Sequence, residues 1–155
     1  AATALANRGD PSSVPALVEL ARDDRSSTRA EVVRALGGAM RDHGDRAGRK
    51  VLVELTLDAD PQVAVAAVCG LAAVKDLADA PPLRELVGGG AGDRARAAAW
   101  ALGEMHDTAS FGVLADALGT HDDRLASAAA CASGCPCVTL AWSTAQRSRV
   151  PASYG

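Results

Sequence analysis

The sequence predicts an all-α fold, an α-solenoid of stacked antiparallel helix pairs, and three observations predict it. First, hydrophobic residues make up 48% of the 155 residues while aromatics make up only 3%, so the apolar mass is Ala, Val and Leu. Small aliphatic residues favour close-packed helices, whereas a sheet sandwich draws on aromatic and β-branched residues. Second, two leucine-centred motifs recur along the chain. One places Leu36, Leu71 and Leu102 in EVVRALGG, AAVCGLAA and AAAWALGE. The other places Leu17, Leu52, Leu83 and Leu114 in PALVEL, KVLVEL, PPLREL and GVLADA. Third, the step from the second motif to the next first motif is always 19 residues (17 to 36, 52 to 71, 83 to 102), while the other step is 16, 12 and 12. Two elements at fixed spacing with one elastic joint are the mark of a helical repeat.

The elements follow in order. Leu5, 12 residues before Leu17, lies inside TALAN, so the chain is expected to start within a helix of an earlier repeat. A cut solenoid end exposes apolar surface, and the chain is therefore expected to be a fragment of a longer protein that contributes further repeats. PALVEL (15–20) forms a short helix, and DDRSS (23–27) turns the chain into EVVRALGG (31–38). KVLVEL (50–55) follows, then the DADP turn (58–61), whose Pro61 suits a first helical turn and whose aspartates can cap free N–H groups. In the next helix Val63, Ala67 and Val68 lie eight, four and three positions before Leu71, on one face. PPLREL (81–86), the GGGAGD turn (88–93), AAAWALGE (97–104), GVLADA (112–117) and the THDD turn (120–123) complete the series. Ala35, Gly70 and Ala101, one before each leucine, would let neighbouring helices approach closely. ASAAACASG (126–134) overlays ARAAAWALG (95–103) position by position, which makes Cys131 a residue of a fourth Ala-rich helix.

That reading gives a solenoid over residues 1–134, about four helix pairs with the first truncated, and an irregular C-terminal tail over 135–155. The tail holds no acid and loses the helical register, because the next expected leucine position is Ala145. It is either a native, weakly ordered segment or an out-of-frame translation. CASGCPC (131–137) carries three of four cysteines, but its C-x3-C-x-C spacing is not a zinc spacing.

The combination of a DADP turn, an Ala-rich helix ending in AL-G, and a helix reading V-P-A-L-x-E-L resembles the short HEAT-like repeat. This variant is known from bilin lyases of phycobilisomes and from bacterial scaffold proteins, and the resemblance covers about residues 3–134. It implies either a non-catalytic protein–protein interaction scaffold or, as the alternative, a bilin-lyase-like or chaperone-type protein acting on a chromophore or partner. The family's Val-Arg pair at the start of the Ala-rich helix is only half kept in Thr28-Arg29 and Val63-Ala64, and is lost in Arg94-Ala95, so a regular Asp–Arg ladder between repeats is not expected.

Charge narrows the partner. Residues 1–50 carry +2, residues 51–123 carry −8 and residues 124–155 carry +3. The acidic middle makes nucleic acid an unlikely partner, since phosphate binding needs a positive surface. No apolar run approaches the ~20 residues of a membrane span. Location is otherwise open, with the cytoplasm favoured. Glu19, Glu54, Glu85 and Asp116 each stand two positions after a second-motif leucine. Stacked, they form an acidic ridge that repels itself by only ~0.4 kcal/mol per neighbouring pair at ~10 Å in water and could attract a basic partner segment. The simpler reading, that Glu is a good helix former on an exposed face, is the default. Trp100 shares a column with Arg34 and Cys69 and is either a partner contact or, the more usual outcome, an indole packed on the next repeat. His43, His106 and His121 fall in loops without metal-ligand spacing, GGGAGD lacks the strand and Lys-Ser/Thr of a phosphate loop, and no catalytic constellation is present. No catalytic residue, metal or cofactor is expected.

Overall fold

A computed structural model describes residues 11–23, 28–41, 45–89, 92–119 and 122–132. These form eight α-helices: α1 Val14–Arg22, α2 Arg29–Met40, α3 Arg46–Leu55, α4 Pro61–Val74, α5 Ala80–Gly88, α6 Asp93–Glu104, α7 Phe111–Leu118 and α8 Asp123–Ala132. Short 3-10 turns precede α1, α5 and α7, and no strand occurs among the described residues. The second motif forms the odd-numbered helices and the first motif the even-numbered ones. The fold is the predicted all-α solenoid. The tail from 135 onward, Ser133 and Gly134, and the TALAN segment all lie outside the described residues.

All seven motif leucines are buried: Leu17, Leu36, Leu52, Leu71 and Leu83 are fully enclosed, with Leu102 at 1% and Leu114 at 5% exposure. The odd-numbered helices bury one narrow stripe, as α1 does through Val14, Leu17 and Ala21. Helix α4 is buried on most of its circumference because α2 and α6 flank it while α3 packs beneath. The even-numbered helices stack in sequence, α2 on α4, α4 on α6 and α6 on α8, and form one tight layer. The odd-numbered helices form the other layer and are spaced more widely; α3 and α5 scarcely touch.

The fixed 19-residue step has a physical counterpart in this arrangement. It joins helices that pack firmly against each other, α1 with α2, α3 with α4, and α5 with α6. The elastic step joins helices with little mutual contact, such as α4 and α5, so its length is free to vary.

Local chemistry sets the helix ends. Asp60 caps α4 by accepting from the Gln62 N–H at 2.8 Å, with Pro61 at the first helical position, as the DADP turn predicted. Asp45 caps α3 through the Ala47 and Gly48 N–H groups, and Asp122 caps α8 through those of Arg124 and Leu125. In the GGGAGD turn, Gly92 enters α6 at φ 115°, a conformation that L side chains rarely adopt.

Close helix approach is concentrated at one point. Gly70, predicted to allow it, faces Gly37 across the α2–α4 contact, and a Cβ added to Gly37 would lie 2.4 Å from the Gly70 Cα. The partner role of Gly37, one residue after Leu36, was not predicted. Ala35 and Ala101, at the matching repeat positions, are buried.

Candidate functional site

The outer face of the even-numbered layer carries two hollows among the described residues. Its central column, two residues before each buried leucine, is Arg34, Cys69 and Trp100. Because the leucine points into the core, a residue two positions earlier is rotated by about 200° and faces outward. Small neighbours then leave space around it. Ala97 and Ala128 on one flank, and Ala72 and Ala73 on the other, hollow the surface on either side of the indole.

Two hollows result, and Cys69 and Trp100 line both. The larger, about 740 Å³, runs over α4, α6 and α8, with Val65, Ala97 and Ala128 in its floor and Asp93, Arg96, Asp123 and Arg124 at its rim. The other, about 590 Å³, reaches toward the C-terminal ends of α2 and α4 and is bordered by Arg41, Lys75 and Glu104. Together they make one groove crossing the stacked helices with Trp100 at its middle. Trp100 is 42% exposed, so the indole is not packed away against the next repeat, whose small residues Ser127 and Ala128 line the same hollow. An aromatic ring exposed between apolar hollows supplies the kind of anchor that dominates binding energies at protein interfaces.

The groove's rim charges are partly spent internally. Arg96 pairs with Asp93 at 2.9 Å and Lys75 with Glu104 at 3.6 Å. Cys69 is a half-buried free thiol; burial pushes its pKa up, and the nearby Arg34 charge only partly opposes this. It therefore stays protonated at neutral pH and is a poor nucleophile.

The acidic column lies on the other layer. Glu19, Glu54, Glu85 and Asp116 are all exposed, on α1, α3, α5 and α7. The loose contact between α3 and α5 divides the column into two pairs, Glu19 with Glu54 and Glu85 with Asp116. Glu54 lies 3.9 Å from Arg22, with both side chains more than half exposed. The acidic column and Trp100 thus occupy opposite faces of the solenoid and are not one site.

Between the layers run inter-repeat ion pairs that sequence reasoning did not find. The retained Arg29 does form a rung, reaching Asp58 at 2.7 Å and the Ala21 carbonyl at 2.8 Å, while Arg94 donates to the Asp58 carbonyl at 2.5 Å. A second set of rungs lies elsewhere, so Asp–Arg pairs do link neighbouring repeats although the Val-Arg pair is not kept. Arg49 on α3 grips Asp76 at 2.5 Å and Asp79 at 2.9 Å, and Arg84 on α5 grips Asp107 at 2.8 Å. Hydrogen bonding to Asp79 and the charges of Asp79 and Asp76 outweigh burial and hold Arg49 firmly protonated. Burial is the largest influence on Asp107 and raises its pKa. The hydrogen bonds from Ser110 and Arg84, the Arg84 charge and the Ala109 N–H together exceed it and keep Asp107 below the usual carboxylate range. The signal was present in the sequence as DLAD (76–79) and DTAS (107–110), the same turn repeated 31 residues apart.

Among the described residues, no group of three or more His, Cys, Asp or Glu is placed to hold a metal ion. No helix there is long and apolar enough to cross a membrane. His106 is exposed in the turn after α6, at φ 54°, while His43 and His121 lie outside the described residues.

Comparison with known protein families agrees with the architecture. Residues 1–43 match the model described as HEAT repeats, and residues 95–120 match the PBS lyase HEAT-like repeat. No curated protein is similar enough to the chain to count as a relative. Both windows match HEAT models and the same helix pair recurs between them, so the chain carries HEAT-like repeats.

Proposed function

We propose that this chain is a non-catalytic protein-interaction scaffold whose partner docks along the groove of the even-numbered layer, with Trp100 as the anchor. The observation that carries this reading is the half-exposed indole between two apolar hollows, in a repeat class that commonly mediates protein–protein contacts. A rigid, preformed surface of stacked helices loses little entropy on binding. Replacing Trp100 with Ala should abolish partner capture by the full chain while leaving its melting temperature nearly unchanged. Undiminished capture by that variant contradicts the proposal.

A second reading keeps the acidic column as a docking strip for a basic segment. It is favoured by Glu85 and Asp116, which sit on the packed helices α5 and α7 and make no side-chain ion pair among the described residues. Reversing both charges should weaken capture of a basic partner if this strip is used, and unchanged capture excludes it.

The lyase-like alternative needs a site that encloses a large tetrapyrrole with aromatic and polar groups. The groove offers one aromatic residue and a floor of small side chains, which supports the scaffold reading. A bilin absorbance titration separates the two: the scaffold reading predicts no spectral shift on adding the chain.

A further inference from the structure

We infer that the segment docking in the Trp100 groove is acidic, presenting an apolar or aromatic side chain to the indole and a carboxylate toward α2. The inference rests on the groove reading above and adds the chemistry of the occupant. Although the chain as a whole carries a net charge of −3, the uncommitted charge of this groove has the opposite sign. Lys75 and Glu104 neutralise each other across the smaller hollow, as Asp93 and Arg96 do across the larger one. What remains at the α2 end is Arg41, which borders the smaller hollow, and Arg34, whose charge reaches the Cys69 thiol on the groove floor. Both are exposed, and neither side chain has a hydrogen-bond or ion-pair partner among the described residues. Glu31 and Arg34 stand one helical turn apart on α2, both exposed, and neither borders a hollow, whereas Arg41 lines the smaller one. At the α8 end Arg124 and Asp123 offset each other.

The groove is therefore polarised: cationic at the α2 end, apolar around Trp100, and balanced at the α8 end. An extended or helical peptide whose apolar residue seats beside the indole places its neighbouring side chains within reach of Arg34 and Arg41. Guanidinium groups pair with carboxylates in bidentate fashion, and a complementary rim speeds association and excludes like-charged competitors. A basic segment meets Arg34 and Arg41 there, which directs it away from this face.

The test is a selection from random twelve-residue peptides displayed on phage, run on the full chain and counter-selected against the Trp100→Ala variant. The enriched, Trp100-dependent peptides should carry net negative charge. Their affinity should fall about tenfold or more in an R34E/R41E variant, and should fall for the unmodified chain as salt rises from 0.05 to about 0.5 M. The salt series needs no variant and so stands even if the substitutions disturb folding. Trp100-dependent peptides that are neutral or basic, or whose binding ignores both Arg34/Arg41 reversal and salt, overturn the acidic inference and leave the groove reading in place. An enriched pool with no Trp100-dependent member overturns both.

Discussion

Replacing Gly37 with Ala tests the packing of the solenoid at its tightest point. The new Cβ would stand 2.4 Å from the Gly70 Cα, a backbone atom that no rotamer change can move aside. Carbon atoms in favourable contact sit ~3.5–4.0 Å apart, so α2 and α4 must separate by roughly 1.1–1.6 Å. Overpacking of this kind costs about 1–3 kcal/mol, and a gap of 0.5–1 Å elsewhere along the contact forfeits roughly a quarter to a half of each dispersion well. The change also brings a gain, since Ala is favoured over Gly inside a helix by about 0.8–1.0 kcal/mol. The clash is with backbone and the α2–α4 contact is the most extensive in the layer, so the loss exceeds the gain and a net destabilisation of about 1–2 kcal/mol is expected. For a chain of this size that lowers the melting temperature by about 2–8 °C, read by far-ultraviolet circular dichroism. Two companion substitutions calibrate the result. Gly112→Ala meets nothing within 4 Å and should stabilise by about 0.5 kcal/mol. Gly48→Ala meets the Met40 Sδ at 2.5 Å, but that side chain is flexible, so its effect should fall between the other two. If Gly37→Ala melts at or above the unmodified chain, the close helix approach is wrong.

Other expectations follow from the same structure. Leu71→Ala should cost about 2–5 kcal/mol, because the side chain is fully buried between α3 and the flanking helices; a loss below 1 kcal/mol in denaturant titration contradicts its core position. Asp107→Asn should destabilise by about 1–3 kcal/mol at pH 7 by breaking its contacts with Arg84 and Ser110. The sign of its pH dependence follows from the lowered pKa: Asp107 stabilises the fold above its unfolded value of about 3.9, and that contribution disappears as pH falls through the lower folded value. The stability gap between the variant and the parent should therefore narrow below about pH 4, and a gap that is constant from pH 7 to pH 3 refutes the assignment. Gly92→Ala should destabilise α6 by about 1–2 kcal/mol through its φ of 115° alone, with no steric neighbour involved. Equal stability there would show that the turn relaxes.

Much of this architecture was legible because repeats average out local ambiguity. Seven leucines at two fixed phases all proved buried, and DADP capped and opened α4 as its residues dictate. The Arg49 and Arg84 rungs were not found, although DLAD and DTAS repeat in register. Their partners sit on different positions of their helices, Arg49 three before Leu52 and Arg84 one after Leu83, so no column links them in the sequence. The exposure of Trp100 could not be read either. It depends on what lies beside the indole, and the smallness of Ser127 and Ala128 matters only once α6 and α8 are known to be neighbours. Gly37 escaped notice for a related reason, since its contact with Gly70 joins different columns of the repeat.

Hydrogen–deuterium exchange on the full chain, with and without the peptides selected on it, tests the docking face most directly. The account predicts that protection appears on α4 and α6 around Cys69 and Trp100 and on α2 around Arg34, with α1, α3, α5 and α7 unchanged. Protection confined to the helices bearing Glu19, Glu54, Glu85 and Asp116 would contradict it.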